Sequence, residues 1–235
     1  MFDLTEELQS LVHLYRTRAD RRRGAAIAFV GVRSGVGVST CARAFSRLVA
    51  PNSTKGVWLF DLDFYANGQF ATFSSVEAKT LYGTIGSPMD PTLKMQPFWS
   101  VSPLLVRNDG KKVSSAWYLA IHQIGLHRLF VSRFRVEGLN KGQSVHVLGA
   151  PDYWQRVRDA IDLAVIDVPA FDRSRTILAL APDLDGVVLV AEQGDDANEL
   201  YRLQQEIELA GGSCLGVILN AGQQRFEPPN FNTQI

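Results

Sequence analysis

The 235-residue sequence has little cysteine, no long apolar run near its start and no net charge. Its two cysteines, Cys41 and Cys214, have neither a metal-binding nor a redox spacing, so reduced, buried thiols are expected. The apolar run Ala25–Val32 is far shorter than the roughly 20 residues that cross a bilayer. Because 24 basic residues balance 24 acidic ones, the overall charge does not favour nucleic acid or an anionic membrane.

Two further patterns are missing. The N-terminal residues Met1–Glu7 are acidic and lack the layout of a signal peptide, which indicates a cytoplasmic protein. The four histidines show no ligand spacing and no Ser-His-Asp or Cys-His arrangement, so we interpret them as structural.

A glycine-rich stretch is the most informative feature that is present. The apolar run Ala25–Val32 leads into Gly35 and Gly37, and a helix-like pattern follows over Thr40–Val49. Strand, glycine-rich turn and helix N-terminus are the layout of a phosphate-binding loop, in which backbone amides hold the anion. A tight strand-to-helix connection without a ligand is the alternative. Where such loops carry a lysine, this chain has Val38.

Polar residues end several of the predicted strands. Asp61 and Asp63 end one buried strand, Asp167 ends a later one, and Asn220 ends the last. Because parallel strands share one carboxyl edge, we expect these residues near the glycine-rich turn. Carboxylates at such an edge suit Mg²⁺, although a single Asp is more often a cap or turn residue.

The middle of the chain breaks the strand–helix rhythm. We interpret 1–235 as a single domain with a β-rich insertion over 64–144. The insertion is predicted to contain a hairpin at Asn108–Gly110, and two strands, Trp117–Ile121 and Leu129–Phe134, that turn near Gly125. Its aromatic residues are expected to form a small core of their own. These residues are Phe98, Trp99, Trp117, Tyr118, Phe130 and Phe134.

Regular elements are predicted on both sides of this segment. Helices are expected at 4–23, Tyr153–Ile161, Ser174–Leu180 and Ala197–Ala210. Strands are expected at Val57–Phe60, Val145–Leu148, Leu163–Asp167, Gly186–Ala191 and Gly216–Asn220, followed by an irregular tail, Ala221–Ile235.

The first predicted helix ends in a basic cluster, which comprises Arg16, Arg18, Arg21, Arg22 and Arg23. A solvated last turn that complements the helix dipole is one interpretation. A docking surface for another subunit or an acidic partner is the other.

The order of five segments resembles the deviant-Walker P-loop ATPases. Within them the chain resembles the bacterial tyrosine-kinase-like proteins of exopolysaccharide synthesis, of the holdfast or capsule type. The resemblance covers residues 10–63 and 145–220. The segments are Gly31–Thr40, Phe60–Asp63, Val165–Pro169, Ala181–Val190 and Gly216–Asn220.

This resemblance implies a fold and a ligand. The fold is a three-layer α/β P-loop architecture, a mostly parallel sheet flanked by helices. The ligand is ATP or ADP with Mg²⁺, the metal being held by Ser39, Asp61 and Asp167 when nucleotide binds. The implied nucleotide-binding residues are Arg33, Gly35, Val36, Gly37, Val38, Ser39, Thr40, Asp61, Asp63, Asp167 and Asn220. Asn220 matches an asparagine that commonly contacts the base.

The departures from the family pattern concern catalysis and assembly. Val38 replaces the phosphate-binding lysine, and Phe64-Tyr65 stands where kinase members tend to have an arginine. No tyrosine follows Tyr201, so the C-terminal tyrosine cluster of kinase members is missing. Of their oligomerisation motif, Glu-x-x-Arg-x-x-Arg, only Arg16 is kept.

Three hypotheses follow. The first is a catalytically degenerate pseudokinase that acts as a cytoplasmic regulator or scaffold in exopolysaccharide synthesis or export. Its partner would be a membrane polysaccharide co-polymerase or export protein, or another subunit of the same assembly. Such a partner would recruit the protein to the inner membrane. Assembly into a homo-oligomer is a further alternative. The second is an active ATPase of the partition or division-site class, with Arg33 in place of the lost lysine. The third is a nucleotide-free interaction module.

Overall fold

The computed structural model describes residues 5–18, 23–104 and 113–220. The predicted hairpin at Asn108–Gly110 and the tail from Ala221 lie outside these residues. Of the basic cluster, Arg23 is the member whose side chain is described, and its Nε lies 3.5 Å from Asp159 Oδ1.

Ten strands and seven α-helices form the described chain. The strands are β1 Ala25–Gly31, β2 Val57–Asp61, β3 Ile85–Met89, β4 Trp99–Ser102, β5 Leu119–Ile124, β6 Leu129–Phe134, β7 Ser144–Val147, β8 Leu163–Asp167, β9 Gly186–Glu192 and β10 Cys214–Asn220. The helices are α1 Thr5–Arg18, α2 Val38–Val49, α3 Gly68–Phe73, α4 Val76–Tyr82, α5 Pro151–Ala160, α6 Thr176–Leu180 and α7 Ala197–Leu209.

A mostly parallel sheet forms the middle layer. Its eight strands are ordered β10-β9-β1-β8-β2-β6-β5-β3, and every pair from β10 to β6 is parallel. The last two strands, β5 and β3, are antiparallel to their neighbours. Strands β4 and β7 form a separate antiparallel pair. The expected three-layer α/β fold with a mostly parallel sheet is confirmed.

The two faces of the sheet carry two hydrophobic clusters. Strand β1 contributes to both, because Ile27 and Phe29 face one side whereas Ala28 and Val30 face the other. Helices α1 and α2 cover the first side, and α2 presents an apolar stripe that includes Cys41 and Phe45. Helices α5, α6 and α7 cover the second side.

The segment 64–144 is more closely integrated than its sequence indicates. It opens with two helices, α3 and α4, and adds β6, β5 and β3 to the main sheet. The predicted strand at 129–134 is confirmed as β6, which pairs antiparallel with β5. The strand predicted at 117–121 begins two residues later, as β5, because residues 115–118 form a 3-10 helix. The interpretation of 64–144 as an insertion, and of 1–235 as one domain, stays a prediction.

The expectation that this segment has its own aromatic core is wrong. Phe98 packs at 5.6 Å from Phe60 of β2 and at 4.9 Å from Trp154 of α5, ring centroid to centroid. Phe98, Trp99, Tyr118 and Phe134 belong to the cluster that also contains β1 and β8 residues, and Phe130 packs against it. Trp117 is 46% exposed. The large rings are shared because β6 pairs directly with β2, which brings the segment onto the main core.

Within the described residues, no helix is both long and apolar enough to cross a lipid bilayer.

Candidate functional site

The glycine-rich turn joins β1 to α2 as predicted. Gly35 and Gly37 adopt φ values of +90° and +92°, which residues with a Cβ rarely tolerate. Gly37 is the N-cap of α2, and a Cβ there would lie 2.1 Å from Asn220 Nδ2. The turn therefore needs glycine at position 37 for both its conformation and its space.

The turn opens onto a cavity of about 260 Å³ at the carboxyl edge of the sheet. This volume is slightly below the range of about 300–1,000 Å³ that is usual for ligand pockets. The lining residues are Arg33, Ser34, Gly35, Gly37, Val38, Ser39, Asp61, Asp63, Asp167, Val168, Pro169, Ala170 and Arg173.

Three of the predicted site residues lie elsewhere. The Val36 side chain is buried, and its carbonyl oxygen accepts a hydrogen bond from Asn220 Nδ2 at 2.9 Å. Asn220 thus holds the turn through a backbone carbonyl, and the base contact that the resemblance implies stays a prediction. Thr40 is exposed on α2.

Val38 packs inward at the start of α2. Its side chain is only 9% exposed and belongs to the core cluster under α1 and α2. A Cβ at Gly31 would lie 2.5 Å from Val36 Cγ2 and 3.1 Å from Val38 Cγ2, so both valines pack against that glycine. The position where such loops carry a cation is therefore apolar and largely filled.

Each of the two cations among the described lining residues has carboxylate partners. Arg33 donates from Nε to Asp195 Oδ1 at 2.7 Å and from Nη2 to Glu192 Oε2 at 2.8 Å. Arg173 Nη1 donates to Asp63 Oδ2 at 3.1 Å. Arg33 is thus held at the rim of the cavity by an acid at the end of β9 and another just after it.

Two aspartates stand side by side beneath the turn. Asp61 and Asp167 are in-register partners on β2 and β8, and they are 5% and 4% exposed. Burial, reinforced by the negative charge of Asp167, raises the pKa of Asp61 to about 7. Burial also raises the pKa of Asp167, against the opposing effects of hydrogen bonds from Gln69 and Ser39.

Gln69 and Arg43 were missed by the sequence reasoning. Gln69 is fully buried on α3, and its Nε2 donates to Asp167 Oδ2 at 2.6 Å. Its Oε1 accepts from Arg43 Nη1 at 2.8 Å. A polar residue shortly after the Asp61–Asp63 pair was the available signal, but its position depends on where α3 docks.

In this arrangement Asp61 and Asp167, two of the residues implied for Mg²⁺, accept hydrogen bonds from the protein in place of an ion or its waters. Asp167 Oδ2 already accepts a short hydrogen bond from a buried amide, whereas Mg²⁺ needs carboxylate oxygens at about 2.0–2.1 Å together with retained waters. Across residues 5–18, 23–104 and 113–220, no group of three or more His, Cys, Asp or Glu side chains is arranged to hold a metal.

Comparison with known proteins rests on structure alone. No family model matches the sequence, and no curated protein matches it either. The kinase domain of the Escherichia coli tyrosine kinase ETK superposes with a TM-score of 0.57 at 15% identity, covering 94% of this chain and 76% of that one. The VpsO kinase domain gives 0.53 at 14% identity, covering 94% and 96%. The BceF tyrosine kinase domain gives 0.53 at 16% identity, covering 91% and 74%.

At these identities the likeness shows the fold and nothing beyond it. It agrees with the motif order Gly31–Thr40, Phe60–Asp63 and Val165–Pro169 in the sequence. The chain has the P-loop ATPase fold and, within that fold, resembles the kinase domains of bacterial tyrosine kinases.

Proposed function

We propose that this chain is a catalytically degenerate, tyrosine-kinase-like P-loop protein. It keeps the loop as a weak site for the phosphates of ATP or ADP and does not transfer phosphoryl groups. In this proposal it acts in the cytoplasm as a regulator or scaffold of bacterial exopolysaccharide synthesis or export. Its partner is a membrane protein of that system or another subunit.

The burial of Val38 carries this proposal. Phosphoryl transfer depends on positive charge placed where negative charge develops. Val38 is apolar and 9% exposed at the position of the phosphate-binding lysine. The loss of one charge-assisted contact is worth roughly 1.5–3 kcal/mol, or about tenfold to more than a hundredfold in affinity.

Two further positions support loss of catalysis. Phe64, where kinase members tend to have an arginine, is 4% exposed, and its ring lies 4.9 Å from that of Phe134. Arg33, the substitute for the lost lysine in the active-ATPase hypothesis, is bound to Glu192 and Asp195. In this arrangement position 64 supplies no charge, and the guanidinium of Arg33 is already paired with two carboxylates.

Calorimetric titration of ATP into three chains tests the proposal. We compare the native chain with Val38→Lys and with Val38→Met, whose unbranched side chain is one atom shorter than that of lysine and has no charge. Restoring the ammonium group is expected to tighten ATP binding by about tenfold or more, whereas methionine should leave the weak native affinity nearly unchanged.

Other outcomes decide between the remaining hypotheses. Micromolar binding with steady turnover by the native chain would contradict the proposal and favour an active ATPase. If no chain binds ATP, including Val38→Lys, the nucleotide-free interaction module is the better account.

A further inference from the structure

The buried residue Gln69 connects the two aspartates beneath the turn, which end β2 and β8. Gln69 is 0% exposed. Its backbone N–H donates to Asp61 Oδ2 at 2.9 Å, and its side-chain Nε2 donates to Asp167 Oδ2 at 2.6 Å. One residue therefore contacts both carboxylates that the family resemblance assigns to the metal.

The partners of Gln69 fix the orientation of its amide. Oε1 accepts from the Arg43 guanidinium, which has only donors. Nε2 donates to Asp167 and also to the carbonyl oxygen of Ser39 at 2.9 Å. A reversed amide would place its NH₂ group against the guanidinium and its oxygen against two acceptors. Both N–H bonds of the side chain are therefore satisfied.

Two hydrogen bonds fix the start of α3 in the position that places Gln69 next to Asp61 and Asp167. Asn67, with a φ of +49°, donates from Nδ2 to the carbonyl of Phe134 at 2.9 Å. The Phe134 N–H donates back to Asn67 Oδ1 at 2.7 Å. This reciprocal pair ties α3 to the end of β6, so that Gln69 is directed under the glycine-rich turn.

We propose that Gln69 closes this phosphate loop to divalent cations, so that the site takes phosphate groups without a metal. The inference rests on the proposed function and specifies the ligand of the same site. The amide competes with a cation or one of its waters at Asp167 Oδ2, and it ties that carboxylate to the loop through Ser39. A cation that displaced it would leave the buried Gln69 N–H that donates to Asp167 without an acceptor, which penalises metal binding.

The experiment uses MnCl₂ alone as the probe, because Mn²⁺ shares the oxygen-ligand preference of Mg²⁺. Calorimetric titration and the thermal unfolding midpoint are measured for the native chain, Gln69→Met and Asp167→Asn. Methionine is close to glutamine in size but has no amide. We expect the native chain to bind Mn²⁺ no better than Asp167→Asn, and Gln69→Met to bind at least about tenfold more tightly, with a raised unfolding midpoint.

Two results would overturn the inference. One is Mn²⁺ binding by the native chain that disappears in Asp167→Asn. The other is a folded Gln69→Met chain that binds Mn²⁺ no better than the native chain. If Gln69→Met does not fold, Mn²⁺ binding is measured for Gln69→Ser instead, which leaves room for water beside Asp167. The same comparison with the native chain then decides. Because metal is added without nucleotide, these readings are independent of ATP turnover, which tests the proposed function.

Discussion

Replacing Phe98 by alanine is expected to lower the free energy of unfolding of the whole described fold by about 3–5 kcal/mol. The ring is fully buried and packs against Phe60 of β2 and Trp154 of α5. Its removal leaves a cavity between the sheet and a helix that lies outside 64–144. Urea unfolding followed by far-UV circular dichroism and by tryptophan fluorescence measures the effect.

The same experiment distinguishes a shared core from a separate one. If the core is shared, both probes report one transition, displaced to lower urea for Phe98→Ala. Leu126→Ala is the control, because Leu126 lies in the same segment but is 99% exposed, and we expect a change within about 0.5 kcal/mol. Two separate transitions, with only the first displaced by Phe98→Ala, would show that 64–144 is an independent unit.

Asp61→Asn is expected to remove part of the fall in stability that we predict for the native chain as pH rises. Burial raises the pKa of Asp61 from 3.8 to about 7, so the folded state holds this proton over a range in which the unfolded state has lost it. The contribution of Asp61 to stability therefore decreases between about pH 4 and pH 7 and is level above that range. The two pKa values correspond to about 4 kcal/mol at most.

Urea unfolding at several pH values between about 4 and 8 measures this effect. The free energy of unfolding of Asp61→Asn, relative to the native chain, should rise with pH. Asp162→Asn is the control. Burial of Asp162 is outweighed by hydrogen bonds from Ser53 and the Lys55 N–H, which lower its pKa, so its stability difference from the native chain should be nearly level above about pH 5. If the difference in free energy of unfolding between Asp61→Asn and the native chain does not depend on pH, the raised pKa of Asp61 is contradicted.

Local sequence patterns were sufficient for the parts of the fold that the neighbouring residues determine. The apolar runs of β1, β2, β8 and β9 identify strands that are buried on both faces. The glycines at 35 and 37 mark positions of positive φ. Because these strands are parallel, their order along the chain also brings Asp61 and Asp167 together at one edge.

Long-range pairing explains what the sequence did not reveal. Helix α3 has only six residues, too few for a helical period to be recognised. Its position depends on the bond between Asn67 and Phe134, which are 67 residues apart. Gln69 meets Asp167 across 98 residues for the same reason. The shared aromatic core likewise follows from the pairing of β6 with β2, which no local pattern encodes.

Phosphate release from ATP by the native chain, measured at steady state with Mg²⁺ present, tests the central claim most directly. Asp167→Asn is the reference, because it removes the buried carboxylate beneath the turn. With Val38 in place of the lysine and Gln69 bound to Asp167, we predict that the two chains release phosphate at the same background rate. Turnover by the native chain that Asp167→Asn abolishes would contradict a degenerate site.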